Sequence, residues 1–236
     1  MAKKRRRRKA KKGMMGSVFF ALMGGIILPV YFMLSHSGLF ERPVPVVEQN
    51  MPNPWPPVVG QRYPDLELID PDGGRFRLSQ LRGKVIIIEP TGMNCPACQA
   101  FSGAHEYGAY ENNPVQEYVE SVRAVFPRYA NGLKLPNRDI IFVQLLLYDM
   151  KLGKPTVHDA LKWAQHFNIY QVPNYYVAVA VDDLRGDVSF NMIPGFQLID
   201  QNFILRADST GHRPKADLYS ELIPSAARLV LGARVR

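Results

Sequence analysis

Cys95 and Cys98 stand two residues apart in "TGMNCPACQA", and the chain holds no other cysteine. Two thiols at this spacing can close a disulfide ring. Where a helix begins at the motif, its amino terminus stabilises the first thiolate and lowers that thiol's pKa. On this reading Cys95 is the nucleophile that attacks a substrate disulfide, and Cys98, one turn into the helix and more buried, resolves the mixed disulfide. Two blander readings compete. Half of a zinc site would need two further ligands from His36, His105, His158, His166 and His212, among which no H-x-x-x-H pair occurs. A purely structural bridge across so short a loop would remove little chain entropy.

Such a pair needs a strand ahead of it and a helix behind it. "YPDLELIDPDGGRFRL" reads as a hairpin across Asp72–Gly73, and the β-branched run Val85–Ile88 as a central strand covered on both faces. Beyond Cys98, "QAFSGAHEYGAY" can start a helix, and Val115, Tyr118, Val119, Val122 and Phe126 recur at helical spacing. "DIIFVQLLLYD" reads as a buried strand, "TVHDALKWAQHF" as an amphipathic helix capped by Thr156, and "NYYVAVAVDD" as a strand. "GFQLIDQNFILRAD" gives two strands across Gln201–Asn202, and a helix is expected from about Lys215 to Leu231. Strands alternating with helices make the class α/β.

Charge and hydropathy divide the chain. The formal charge is +8, but "MAKKRRRRKAKKG" holds nine of the 29 Lys and Arg, and the other 20 face 21 acidic side chains. The folded part therefore offers no basic field to nucleic acid. A nuclear-localisation or RNA-binding arm is the competing reading of the tail, and the adjoining apolar run argues against it. Met14–Leu34 carries no charge and is long enough to cross a bilayer. No convincing cleavage site follows it, so it is expected to remain as an anchor. Basic residues on its amino-terminal side keep that end in the cytoplasm. The expected layout is a cytoplasmic tail at 1–13, a transmembrane helix at 14–35 in the lipid bilayer, a stiff Pro-rich linker at 36–57, one domain at 58–231 and a tail at 232–236. In a bacterium this means a single pass of the inner membrane with the domain periplasmic or extracytoplasmic. Trp55, in the linker, would pack either on the domain or at the membrane face.

Over roughly Val58–Leu231 the chain resembles the membrane-anchored, thioredoxin-like thiol-disulfide oxidoreductases of the TlpA type. The resemblance rests on "GKVIIIEPTGMNCPAC", "DIIFVQLLLYD", "IPGFQLIDQNFILRADSTG" and the basic start with its apolar span. It implies a thioredoxin-like fold elaborated by an N-terminal β-hairpin and a helical insertion, at about 99–138. It also implies a cis-proline opposite the redox motif. Pro173 and Pro194 are the candidates, and Pro194 is preferred because a strand and hairpin follow it directly. Glu89 lies six residues before Cys95, the spacing of the buried acid in thioredoxins, where a carboxylate with a raised pKa can accept the Cys98 proton. Otherwise it is a strand-end Glu turned to solvent.

Asn94 departs from the Trp that the family commonly places before the first cysteine. His105 would share the Cys98 face if the helix persisted for two turns; otherwise it is a surface residue. Tyr107, Tyr110, Tyr118, Tyr129, Tyr175 and Tyr176 read as core and rim packing rather than a cofactor box. The resemblance implies no cofactor. The partners it implies are cysteine-containing extracytoplasmic proteins and a membrane or periplasmic electron donor or acceptor, with reduction favoured over oxidation. Two other functions stay open. One is a peroxiredoxin, although Gly92 stands where that pattern has Thr or Ser. The other is a non-catalytic assembly or copper-handling module, since thiolates suit Cu(I).

Overall fold

The computed structural model describes residues 55–234. The basic tail, the expected span and most of the linker lie outside the described residues. Among the described residues no helix is long and apolar enough to cross a membrane.

The hairpin β1 (Glu67–Ile69) and β2 (Arg75–Arg77) comes first. Its turn is closed by Asp70, whose Oδ1 accepts from the N–H of Asp72 at 3.0 Å and of Gly74 at 2.7 Å. Then follow β3 (Val85–Gly92), α1 (Pro96–Ser102), α2 (Ala104–Tyr107), α3 (Val122–Tyr129), β4 (Ile140–Tyr148) and α4 (Val157–His166). The chain ends with β5 (Tyr175–Ala180), α5 (Asp187–Asn191), β6 (Gly195–Ile199), β7 (Leu205–Thr210) and α6 (Ile223–Arg234).

The strands form one mixed sheet in the order β2-β1-β5-β4-β3-β6-β7. β3, β4 and β5 run parallel, and β6 returns antiparallel beside β3. Alternation splits the apolar runs between two cores. Val85 and Ile87 face Phe126, Trp163 and Ala226 on the helical side, whereas Ile86 and Ile88 join Tyr63, Leu78 and Phe203 on the other. Both faces are thus covered, which is why β3 and β4 can be apolar almost throughout. Trp55 packs on the second core, with its Nε1 donating to Ser189 Oγ at 2.7 Å. α4 is opened as expected by Thr156, whose Oγ1 accepts from Asp159 N at 3.2 Å.

Several expectations are corrected. The insertion is only partly helical, because Val115 and Tyr118 fall outside any helix and Tyr118 is 98% exposed with φ 62. Gln116 N donates to Pro96 O at 3.2 Å, which holds this stretch against the motif as irregular chain. The helix begins only where Ser121 caps Ala124 N at 3.3 Å. Gly103, at φ 115, ends α1, so no continuous helix carries His105 onto the Cys98 face; its Nε2 instead meets Gln116 O at 3.1 Å. The last helix starts later than Lys215, with a π-helical turn at Leu218–Leu222 capped by Asp217, and runs past Leu231 to Arg234. The short α5 had no counterpart in the sequence reading.

Gly195 pairs with Thr210, and a Cβ there would lie 2.3 Å from Thr210 Cα and 2.7 Å from Ser209 O. The obstacle is backbone, which cannot rotate away. Gly195→Ala is expected to lower unfolding free energy by about 3 kcal/mol, the upper end of ordinary overpacking, as read by denaturant titration.

Candidate active site

β3 loses its β6 neighbour after Ile88 and runs on beside β4 to Gly92, so the chain leaves the sheet at its carboxyl edge. Met93 and Asn94 turn it, and Cys95 becomes the N-cap of α1 with φ −79 and ψ 119. Pro96 occupies the first helical position, where a missing N–H costs no helical bond. Cys95 Sγ accepts from Cys98 N at 3.2 Å. Both cysteines are thiols here, Cys95 half-buried and Cys98 fully buried.

The two sulfurs are unlike. The hydrogen bond from the Cys98 thiol is the largest influence on Cys95; burial opposes it, and the N–H groups of Cys98 and Ala97 add to it. Together they bring Cys95 down from 9.0 to about 7. Cys98 is pushed well up, first by burial, then by its bond to Cys95 and the negative charges of Cys95 and Glu89.

Glu89 shares the helical face of the sheet with Val85 and Ile87 and is completely buried. Its Oε2 accepts from Gln144 Nε2 at 2.9 Å, and the same Nε2 donates to Ser102 Oγ at 2.7 Å. Ser102 Oγ donates to Cys98 O at 2.8 Å, and Trp163 Nε1 donates to Gln144 Oε1 at 3.1 Å. A side-chain network therefore joins the acid to the backbone of the second cysteine. Glu89 Oε1 has no partner among the described residues. Burial raises Glu89 from 4.5 to about 8; the Gln144 bond pulls it down, and the Cys95 charge adds to the rise.

The peptide bond Ile193–Pro194 is cis, whereas Val172–Pro173 is not among the cis bonds of the described residues. Pro194 lines a cavity of about 320 Å³ together with Cys95, Pro96, Tyr148, Leu152 and Phe190. Gly211 N braces the proline turn by donating to Pro194 O at 2.8 Å. The structure thus gathers Cys95, Cys98 and Glu89 on one side of the motif and sets Pro194 across the opening. Asn94, in the position of the expected Trp, has its carbonyl bonded by Asn113 Nδ2 at 3.0 Å. Thr91 is buried, its hydroxyl donating to Glu89 O at 2.9 Å. Among the described residues no three His, Cys, Asp or Glu side chains are grouped to hold a metal. Gln144, Ser102 and Trp163 were missed in sequence; the one signal was Gln144, alone among apolar residues in "IIFVQLLLY".

No family model and no curated protein matches this sequence. Solved structures do match in shape. One is a protein of Aquifex aeolicus VF5 provisionally assigned to electron transfer, 19% identical with a TM-score of 0.51, covering 74% of this chain and 99% of its own. A protein of Bacteroides thetaiotaomicron provisionally assigned as a disulfide isomerase is 16% identical with a TM-score of 0.45, covering 76% of this chain and 94% of its own. A peroxiredoxin-like protein of Aquifex aeolicus is 13% identical with a TM-score of 0.45, covering 74% and 90%. At such identities the likeness concerns the mixed α/β fold alone.

Two outcomes follow from the electrostatics. Alkylation of Cys95 by iodoacetamide, mapped by mass spectrometry, should titrate with a midpoint near the site's value of about 7, with Cys98 protected; a midpoint near 9 would remove the thiolate stabilisation argued above. Glu89 holds its proton in the folded state to about 8, whereas its ordinary value is 4.5. Between those two pH values the folded state binds more protons, so stability falls as pH rises, by at most about 1.4 kcal/mol per pH unit. Glu89→Gln should match the wild type at pH 4 and exceed it at pH 8 by on the order of 3–5 kcal/mol in urea unfolding.

Proposed function

We propose that this chain is a protein thiol-disulfide oxidoreductase, held to a bacterial inner membrane by residues 14–35, whose extracytoplasmic domain reduces disulfides in partner proteins. The carrying observation is the asymmetry of the pair: a half-buried Cys95 at a helix N-cap opens on a cavity, and a fully buried Cys98 is linked to Glu89.

In the reaction, the Cys95 thiolate attacks one sulfur of a partner disulfide; the Cys95–substrate bond forms, the substrate S–S bond breaks, and the second substrate sulfur leaves as a thiolate. With the Cys95 charge gone, Glu89 gives up its own proton to solvent, its carboxylate takes the Cys98 proton, and the Cys98 sulfur attacks Cys95. The substrate's first sulfur is expelled, and Cys95–Cys98 is left as the disulfide, two electrons having passed to the partner. A membrane or periplasmic electron donor must reduce the pair again.

The direction is supported by the size of the thiolate stabilisation. Cys95 at about 7 matches the roughly 7 of thioredoxin rather than the roughly 3.5 of the superfamily's strong oxidant. A more stable thiolate makes a more oxidising couple, so the modest value favours reduction. Peroxidase chemistry has less support, because the Thr91 hydroxyl is committed to Glu89 O.

Cys98→Ala should accumulate partner proteins on Cys95 as mixed disulfides, and Cys95→Ala should accumulate none and lose reductase activity. Equilibration with glutathione should give a reduction potential near roughly −270 mV; a value near roughly −120 mV would reverse the direction.

A further inference from the structure

Two large apolar side chains stand out of the core beside Cys95, and their backbones are fixed there. Phe190 is 55% exposed and Leu152 is 47% exposed. Both line the cavity that Cys95 opens on. Leu152 stands at φ 64, a left-handed conformation that glycine adopts freely and a leucine seldom does. The turn that imposes it is closed by Asp149, whose Oδ1 accepts from Lys151 N and Gly153 N, each at 2.7 Å. Arg185 braces it from outside, Nη1 donating to Leu152 O at 3.1 Å while Nη2 pairs with Asp183 at 2.7 Å. Phe190 sits edge-on to Tyr148, ring centroids 5.8 Å apart. The Tyr148 hydroxyl both donates to Gly186 O and accepts from Gly186 N, each at 3.0 Å, which ties the start of α5 to the end of β4. Retaining a leucine in a glycine's conformation, with its side chain turned to the opening, points to use of that side chain rather than of the turn alone.

The walls narrow the occupant. No Lys, Arg, Asp or Glu lines the cavity; its polar wall is Asn94, Gln116, Asn191 and His212. A charged group entering it would trade water for these side chains, of which only the His212 imidazole can carry a charge, whereas an apolar one sheds water against Leu152 and Phe190. At about 320 Å³ the space lies at the low end for ligand sites, room for side chains rather than for a folded surface. It is also continuous with the reacting sulfur, so what fills it must belong to residues next to the attacked cysteine.

We propose that Leu152 and Phe190 form a specificity subsite for a bulky, uncharged apolar side chain adjacent to the disulfide-bonded cysteine in an extended segment of the partner protein. The subsite rests on the exchange reaction given above and names its substrate class. Leu152 and Phe190 exchange no electrons or protons; they hold the flanking side chain while Cys95 Sγ bonds the substrate sulfur and the second substrate sulfur leaves as a thiolate.

The test uses the full chain in detergent with three disulfides: a peptide with Phe beside its cysteine, the same peptide with Asp there, and bis(2-hydroxyethyl) disulfide, which has no flanking side chain. The wild type should favour the Phe peptide over the Asp peptide by about tenfold or more in kcat/KM, the range that one apolar contact supplies. Leu152→Ala combined with Phe190→Ala should bring that ratio close to one, with a loss on the Phe peptide about tenfold greater than on the hydroxyethyl disulfide. Leu152→Gly removes the side chain while easing φ 64, so it should lower the ratio without lowering the melting temperature. Equal wild-type rates on the two peptides, or equal losses on all three disulfides, would overturn the subsite. A wild type inert towards the hydroxyethyl disulfide would instead overturn the exchange reaction.

Discussion

A carboxyl group sealed inside the sheet is the constraint to which the rest of the site answers. Glu89 is fully buried on the central strand, one oxygen bonded by Gln144 and the other without a partner among the described residues. An isolated buried carboxylate is costly, and the cheap response is to stay protonated. A buried cation beside Glu89 would hold it ionised and useless as a base. Gln144 is neutral, and its amide is anchored by Trp163 and Ser102. It therefore orients the carboxyl without fixing its charge.

That choice leaves the charge of the carboxyl sensitive to the charge on the sulfurs. The Cys95 thiolate raises both Glu89 and Cys98, so while Cys95 is free the acid is biased towards its neutral form and the second thiol is silenced. When Cys95 enters a mixed disulfide its negative charge disappears. In the proposed reaction, one cause of each rise is then removed at the step where Glu89 would ionise and Cys98 would lose its proton. Cys95 and Cys98 therefore titrate as a pair, and Glu89 responds to the charge of the first.

Where one element decided its own structure, the sequence was a sufficient guide. The runs at Val85–Ile88 and "IIFVQLLLY" could only be strands covered on both faces, and Thr156 with Asp159 marked the start of α4. The Cys-x-x-Cys motif is visible in a few residues, whereas Glu89 and the choice of Pro194 over Pro173 came from a resemblance to known sequences rather than from local pattern. Failures came where a distant contact ruled. Val115 and Val119 keep helical spacing and still pack on the core, yet the chain between them is pinned to Pro96 and passes through a left-handed Tyr118. α5 has too few residues to show a period, and it is held by Tyr148, 38 residues away from Gly186 in sequence. The role of Gln144 depends on a register between β3 and β4 that no linear pattern displays.

The insertion gains a physical meaning from the same contacts. Asn113 binds the carbonyl of Asn94, and Gln116 N binds that of Pro96, so two backbone groups flanking Cys95 are held from the insertion side. Asn94 itself lines the opening, together with Gln116, Leu152 and Phe190. Under the proposed function, selectivity would lie on these loops rather than on the motif itself. Under the proposed exchange reaction the two tasks separate: Glu89 and Gln144 would set when the second sulfur reacts, and the surrounding loops would set with whom the first one does.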